Sequence, residues 1–194
     1  MSKFADLKLM DKYYDEVLDH LAFNYEECCG DQFPDDGETV FHYRAFSVEG
    51  PNLPKMASYF KELDPNRTAN ELLGHLSEGD KVAIISRFSS EKEHMQPYVD
   101  AMTQRGLNVR VIKTQTGVQD FCFLIKAQKE IIGVVGSTYF KYASLLSQSA
   151  KKAVFYKVVE DEEEKKIFQK QSRFNPKHPK LQGRTFSFRA FSEM

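Results

Sequence analysis

The sequence predicts a three-layer α/β domain, with helices packed on both faces of a mostly parallel sheet. Three observations carry this expectation. From residue 81 onward, short β-rich apolar runs alternate with helical stretches, the pattern that right-handed βαβ crossovers produce. An earlier run, TVFHYRAF at 39–46, is β-rich and mostly apolar, as in a strand covered on both faces. A chain of 194 residues, 41% hydrophobic and 28% charged, suits one domain, or one domain and a tail, with a sizeable core.

The elements follow in order. Residues 7–25 place Leu7, Met10, Tyr14, Val17, Leu18 and Leu21 at helical spacing, which predicts an amphipathic helix with an acidic outer face. Gly30, Pro34 and Gly37 make residues 26–37 a loop. TVFHYRAF at 39–46 reads as a strand buried on both faces. Gly50, Pro51 and Pro54 mark a loop, followed by short helices at 55–63 and 68–76, the second announced by Asp64 and Pro65. Strands are expected at 81–86, 107–113, 131–135 and 153–158, and helices at 91–105, 118–127 and 138–146. The run EDEEEKK at 160–166, then Pro176, Pro179 and Gly183 with little periodicity, reads as a charged, flexible tail. The expected division is therefore an N-terminal helix and loop at 1–37, a Rossmann-like domain at 38–158 and a tail at 159–194.

Charge and composition exclude several classes. A formal net charge of −1 argues against broad capture of nucleic acid or anionic membrane. No run approaches the roughly 18 apolar residues of a membrane span. MSKFADLKLMDKYY lacks the apolar core of a secretory signal, so the expectation is a cytosolic chain or a piece of something longer. The three cysteines, Cys28, Cys29 and Cys122, form a poor disulfide framework and no zinc pattern, and read as buried or incidental thiols.

In parallel α/β sheets ligands bind at the carboxyl ends of the strands, and four strand ends here carry suitable groups. The first ends in His42-Tyr43-Arg44; residues two apart share a face, so His42 and Arg44 point the same way. An arginine there can fork two bonds to a phosphate, or pair with an acid such as Glu49. The second runs into Ser86-Arg87-Phe88-Ser89-Ser90, where Arg87 can meet a ligand and the serines can cap the next helix. The third, from Thr114 to Asp120, opens a helix whose first turn favours the Asp120 carboxylate and lets it accept paired N–H groups. The fourth, Gly136-Ser137-Thr138, sets a glycine and two hydroxyls at a helix start, where backbone N–H groups meet anions. No Walker loop, GxGxxG, Ser/His/Asp order or Cys/His dyad is present.

Together these strand ends resemble the donor-binding, C-terminal half of the fucosyltransferase superfamily, which includes the α-1,6-, α-1,2- and protein O-fucosyltransferases. The resemblance covers roughly residues 38 to 157. It lies in the His-x-Arg strand (His42-Tyr43-Arg44), an aspartate at a helix start (Asp120) and, close to the family's spacing, a strand-end serine followed by a polar residue (Ser137-Thr138) within GSTYFKYASLL. Beyond Arg44 the family often has a second arginine or a nearby aspartate, where this chain has Ala45 to Glu49. The resemblance implies half of a two-domain GT-B-type enzyme that binds GDP-fucose, inverts the sugar carbon and needs no metal or other cofactor. It implies guanine contacts from His42 and Asp120. It also implies a diphosphate held by Arg44, which polarises the leaving group, with Ser137 and Thr138 donating to phosphate. The partner would be a GDP-sugar donor, with a glycan or protein acceptor left open. The first 37 residues are too few for the acceptor-side domain, and a secretory fragment would sit in the Golgi or endoplasmic reticulum lumen. The competing expectation is a non-catalytic α/β module that binds a nucleotide or a protein.

Overall fold

The computed structural model describes residues 11–16, 29–44, 61–86, 92–114, 116–147, 149–171 and 174–193. Five strands come from the sequence's apolar runs: β1 (Thr39–His42), β2 (Lys81–Ile85), β3 (Asn108–Ile112), β4 (Glu130–Val134) and β5 (Lys152–Val159). Four helices follow strands β2 to β5 in turn: α1 (Lys92–Gln104), α2 (Gly117–Ile125), α3 (Thr138–Leu146) and α4 (Glu162–Gln171). A sixth strand, β6 (Thr185–Ser192), completes an all-parallel sheet in the order β3-β2-β1-β4-β5-β6. The predicted α/β layering is thus the observed one: a six-stranded Rossmann-like sheet between two helical layers.

Alternate strand residues feed two cores, as the period of two requires. Phe41, Ile84, Ile132 and Val154 pack with Met95 and Met102 of α1 on one face. Val40, Ile85, Ile131 and Phe155 pack with Phe123 of α2 and Phe140 of α3 on the other. Gly133 of β4 permits the α3 contact, because a Cβ there would sit 2.5 Å from the Phe140 ring.

The predicted strand at 39–46 ends at His42, so Tyr43 and Arg44 stand beyond its carboxyl end. The helix expected at 68–76 is instead a short helix, Pro65–Arg67, running into a π-helical turn, Thr68–Leu72. Asp64 caps it by accepting from the Asn66 and Arg67 N–H groups at 2.9 and 3.1 Å. Residues 11–12 and 14–16 of the N-terminal helix are helical, with a turn at Tyr13; the rest of it lies outside the described residues, as do the 47–54 loop and residues 55–60 of the expected 55–63 helix, whose described residues 61–63 are not helical.

The expected tail is a correction. Residues 162–171 form α4, and β6 pairs with β5 over all eight of its residues. The acidic run sits at the start of α4, where the helix dipole favours it. The Asp161 carboxylate accepts from the Glu164 N–H at 2.7 Å and so caps the helix, and the Glu164 carboxylate reaches back to the Glu160 N–H at 2.9 Å. Arg184 then anchors the start of β6, donating to the Ser144, Leu145 and Ala150 carbonyls at 2.6, 3.3 and 2.7 Å. The cysteine expectation is also corrected: Cys29 and Cys122 form a disulfide across 93 positions. Spacing gave no hint of it, because the fold alone brings the loop before β1 onto α2.

Candidate functional site

Strand order reverses between β1 and β4. Past the end of β1, Tyr43 and Leu63 pack on the α1 face, while the chain leaving β4 enters α3 on the opposite face. Connections that part in this way open a crevice at the carboxyl ends of the two strands, the usual ligand position in such sheets.

From β4, the Val135 N–H donates to the Tyr156 carbonyl at 2.9 Å and the Ser137 N–H to the Val134 carbonyl at 3.1 Å, turning the chain sharply into α3. Ser137 caps that helix, its Oγ accepting from the Phe140 N–H at 3.1 Å. From β1, Arg44 reaches the same atom: its Nη1 donates to Ser137 Oγ at 3.4 Å. A half-buried guanidinium and the positive end of a nine-residue helix therefore converge on one spot. Unsatisfied N–H groups, a helix dipole and a forked cation are the ingredients of a phosphate site.

His42 shares the Arg44 face, as the spacing predicted, but lies beneath the crevice. It is 2% exposed, with its ring stacked on Tyr139 and Phe140 at centroid distances of 5.6 and 5.9 Å. Its Nδ1 is buried with no hydrogen-bond partner among the described residues. Burial, and then the nearby Arg44 charge, push its pKa down to about 3. Above pH 6.5 the ring is neutral in both folded and unfolded chains. Below that, the unfolded chain takes up a proton that the folded one refuses until about pH 3. Stability is therefore expected to fall by about 1.4 kcal/mol per pH unit across this window through this one group. Urea denaturation of His42→Phe against wild type at several pH values checks it; equal slopes would exclude the effect.

Asp120 stands at the neighbouring β3–α2 junction, 2% exposed, its Oδ1 accepting from the Thr114 hydroxyl. Tyr139 links the two junctions: its phenol donates to the Gly117 carbonyl, and Phe121 packs edge-on against its ring at 5.2 Å. Thr138 is exposed at the first position of α3. Arg87, like Glu49, lies outside the described residues. The fold thus gathers Arg44, Ser137 and His42 at the switch point and sets Asp120 one junction away. Tyr139 escaped the sequence reading; its one signal was an aromatic residue directly after the Ser-Thr pair.

Among the described residues no cluster of three or more His, Cys, Asp or Glu could hold a metal ion. No described helix is long and apolar enough to cross a membrane. Compared with known proteins, the chain matches no protein family, no curated protein and no solved structure.

Proposed function

We propose that this domain binds a nucleoside-diphosphate sugar, of the GDP-fucose kind, as the donor-binding part of an inverting, metal-independent glycosyltransferase. The observation that carries the reading is the convergence of Arg44 and the Ser137-capped start of α3 at the β1/β4 switch point. In this reading the diphosphate lies across Arg44 and the first turn of α3, with Ser137 and the exposed Thr138 donating to its oxygens. The acceptor hydroxyl attacks the sugar carbon in line, and the bond to the β-phosphate oxygen breaks. Arg44 offsets the charge that develops on the departing diphosphate. The acceptor proton passes to that phosphate or to a base supplied from elsewhere. Buried, neutral His42 supports the floor of the site, and Asp120 borders the base end. The Cys29–Cys122 bond also supports a lumenal setting, since disulfides persist in oxidising compartments.

A thermal-shift panel of GDP, UDP, ADP and dinucleotides tests this. GDP is expected to give the largest rise in melting temperature. A melting curve unchanged in millimolar GDP would favour the non-catalytic module instead.

A further inference from the structure

Three elements meet on one side chain beside the spot where Arg44 and Ser137 converge. Tyr139, two residues past Ser137, stacks on His42 of β1 with ring centroids 5.6 Å apart, and Phe121 of α2 meets its edge at 5.2 Å. Its phenol donates to the carbonyl of Gly117, the first residue of α2. Tyr139 itself lies in the first turn of α3, whose capping serine receives the Arg44 guanidinium. A single residue therefore ties the end of β1 and the starts of two helices together.

This joint fixes a spacing. Asp120 is the fourth residue of α2, about 4.5 Å along the axis from Gly117, within the turn that the phenol grips. Inside that turn the Thr114 hydroxyl donates to Asp120 Oδ1, and the Asp120 N–H to the Thr116 carbonyl at 3.2 Å. The orientation of the carboxylate is thus set locally, while the place of the turn against α3 is set by Tyr139. Further along, Cys122 anchors the helix to the loop before β1 through Cys29. Rigid spacing between two seats raises affinity for a ligand that spans both and does nothing for one that fills a single seat.

Resting on the donor-binding reading above, we propose that Tyr139 is a positioning residue: its bond to Gly117 sets the spacing between the Arg44–Ser137 diphosphate seat and the base end at Asp120. Titration calorimetry with GDP and with inorganic pyrophosphate, on wild type and Tyr139→Phe, tests it. The substitution keeps the ring on His42 and Phe121. It also leaves the Gly117 carbonyl the helical N–H four residues on, so the variant is expected to fold. Wild type is expected to bind both ligands, and Tyr139→Phe to lose about tenfold in GDP affinity while binding pyrophosphate as before. A side chain that merely braced the helices would lower both affinities together or neither, and either result overturns the role of Tyr139. So does a wild type that binds GDP but not pyrophosphate, because the two seats are then not separate. On wild type alone, GDP but not pyrophosphate is expected to slow amide exchange at 117–121; protection by both ligands or by neither overturns the inference even if the variant does not fold. Failure of wild type to bind GDP overturns the donor-binding reading and this inference with it.

Discussion

Arg44→Ala is expected to abolish the rise in melting temperature that GDP produces in the wild type, while leaving the fold intact. At a ligand concentration 100 times the dissociation constant, binding to the native state alone adds about 2.7 kcal/mol. For a domain of this size that corresponds to roughly 5–10 °C, well within the reach of a dye-based or calorimetric melt. The fold should survive because Arg44 stands past the end of β1 and is only half-buried, so its loss opens no core cavity. Ser137 keeps its capping bond to the Phe140 N–H when the guanidinium goes. Ser137→Ala is the poorer test, since it removes the cap as well and costs about 1 kcal/mol in stability. An Arg44→Ala protein that still gains the full shift in GDP would place the anion elsewhere.

Reduction of the Cys29–Cys122 bond is expected to lower stability by about 4.7 kcal/mol, the chain-entropy estimate for a loop approaching 100 residues. The melting temperature should fall by roughly 10–20 °C. The sulfurs belong to residues buried at 2% and 0% exposure, so the bond joins two parts of the interior, the loop before β1 and α2. The same loop is held nearby by Gln32, whose Nε2 donates to the Lys113 carbonyl at 2.7 Å. Gly30 makes this approach possible, with a φ of +68° and the Gln119 side chain against its α-carbon. Loss of the bond should loosen residues 29–32 before the sheet itself. Melts of the wild type with and without a phosphine reductant, beside the Cys29→Ser/Cys122→Ala variant, measure the effect. The variant should melt near the reduced wild type and ignore the reductant; a wild type indifferent to reductant would mean that the bond contributes nothing.

Much of the fold was legible because each local signal agreed with the global one. KVAII of β2 and TYFKYASLL of α3 carry period and length enough to name their type from sequence, and α3 occupies the residues expected of it. Elsewhere the local signal was weak. The acidic run at 160–166 looked solvated, although Asp161 and Glu164 already held the pattern of a helix cap. TFSFRAFS at 185–192 has a strand's alternation, but following Pro176, Pro179 and Gly183 it reads as part of the tail; paired with β5 it forms β6, where Phe188 stacks on Phe155 at 5.1 Å.

The candidate site divides in the same way. That His42 and Arg44 share a face, and that a serine opens α3, are consequences of strand and helix geometry acting over a few neighbouring residues, and the sequence by itself determined them. Strand order, the disulfide and the meeting of Arg44 with Ser137 across 93 positions were decided only by the tertiary structure. The reason is physical. Backbone sterics and hydrophobic period act over one or two turns, whereas these contacts depend on which strands lie side by side, a choice made by burial of the whole core.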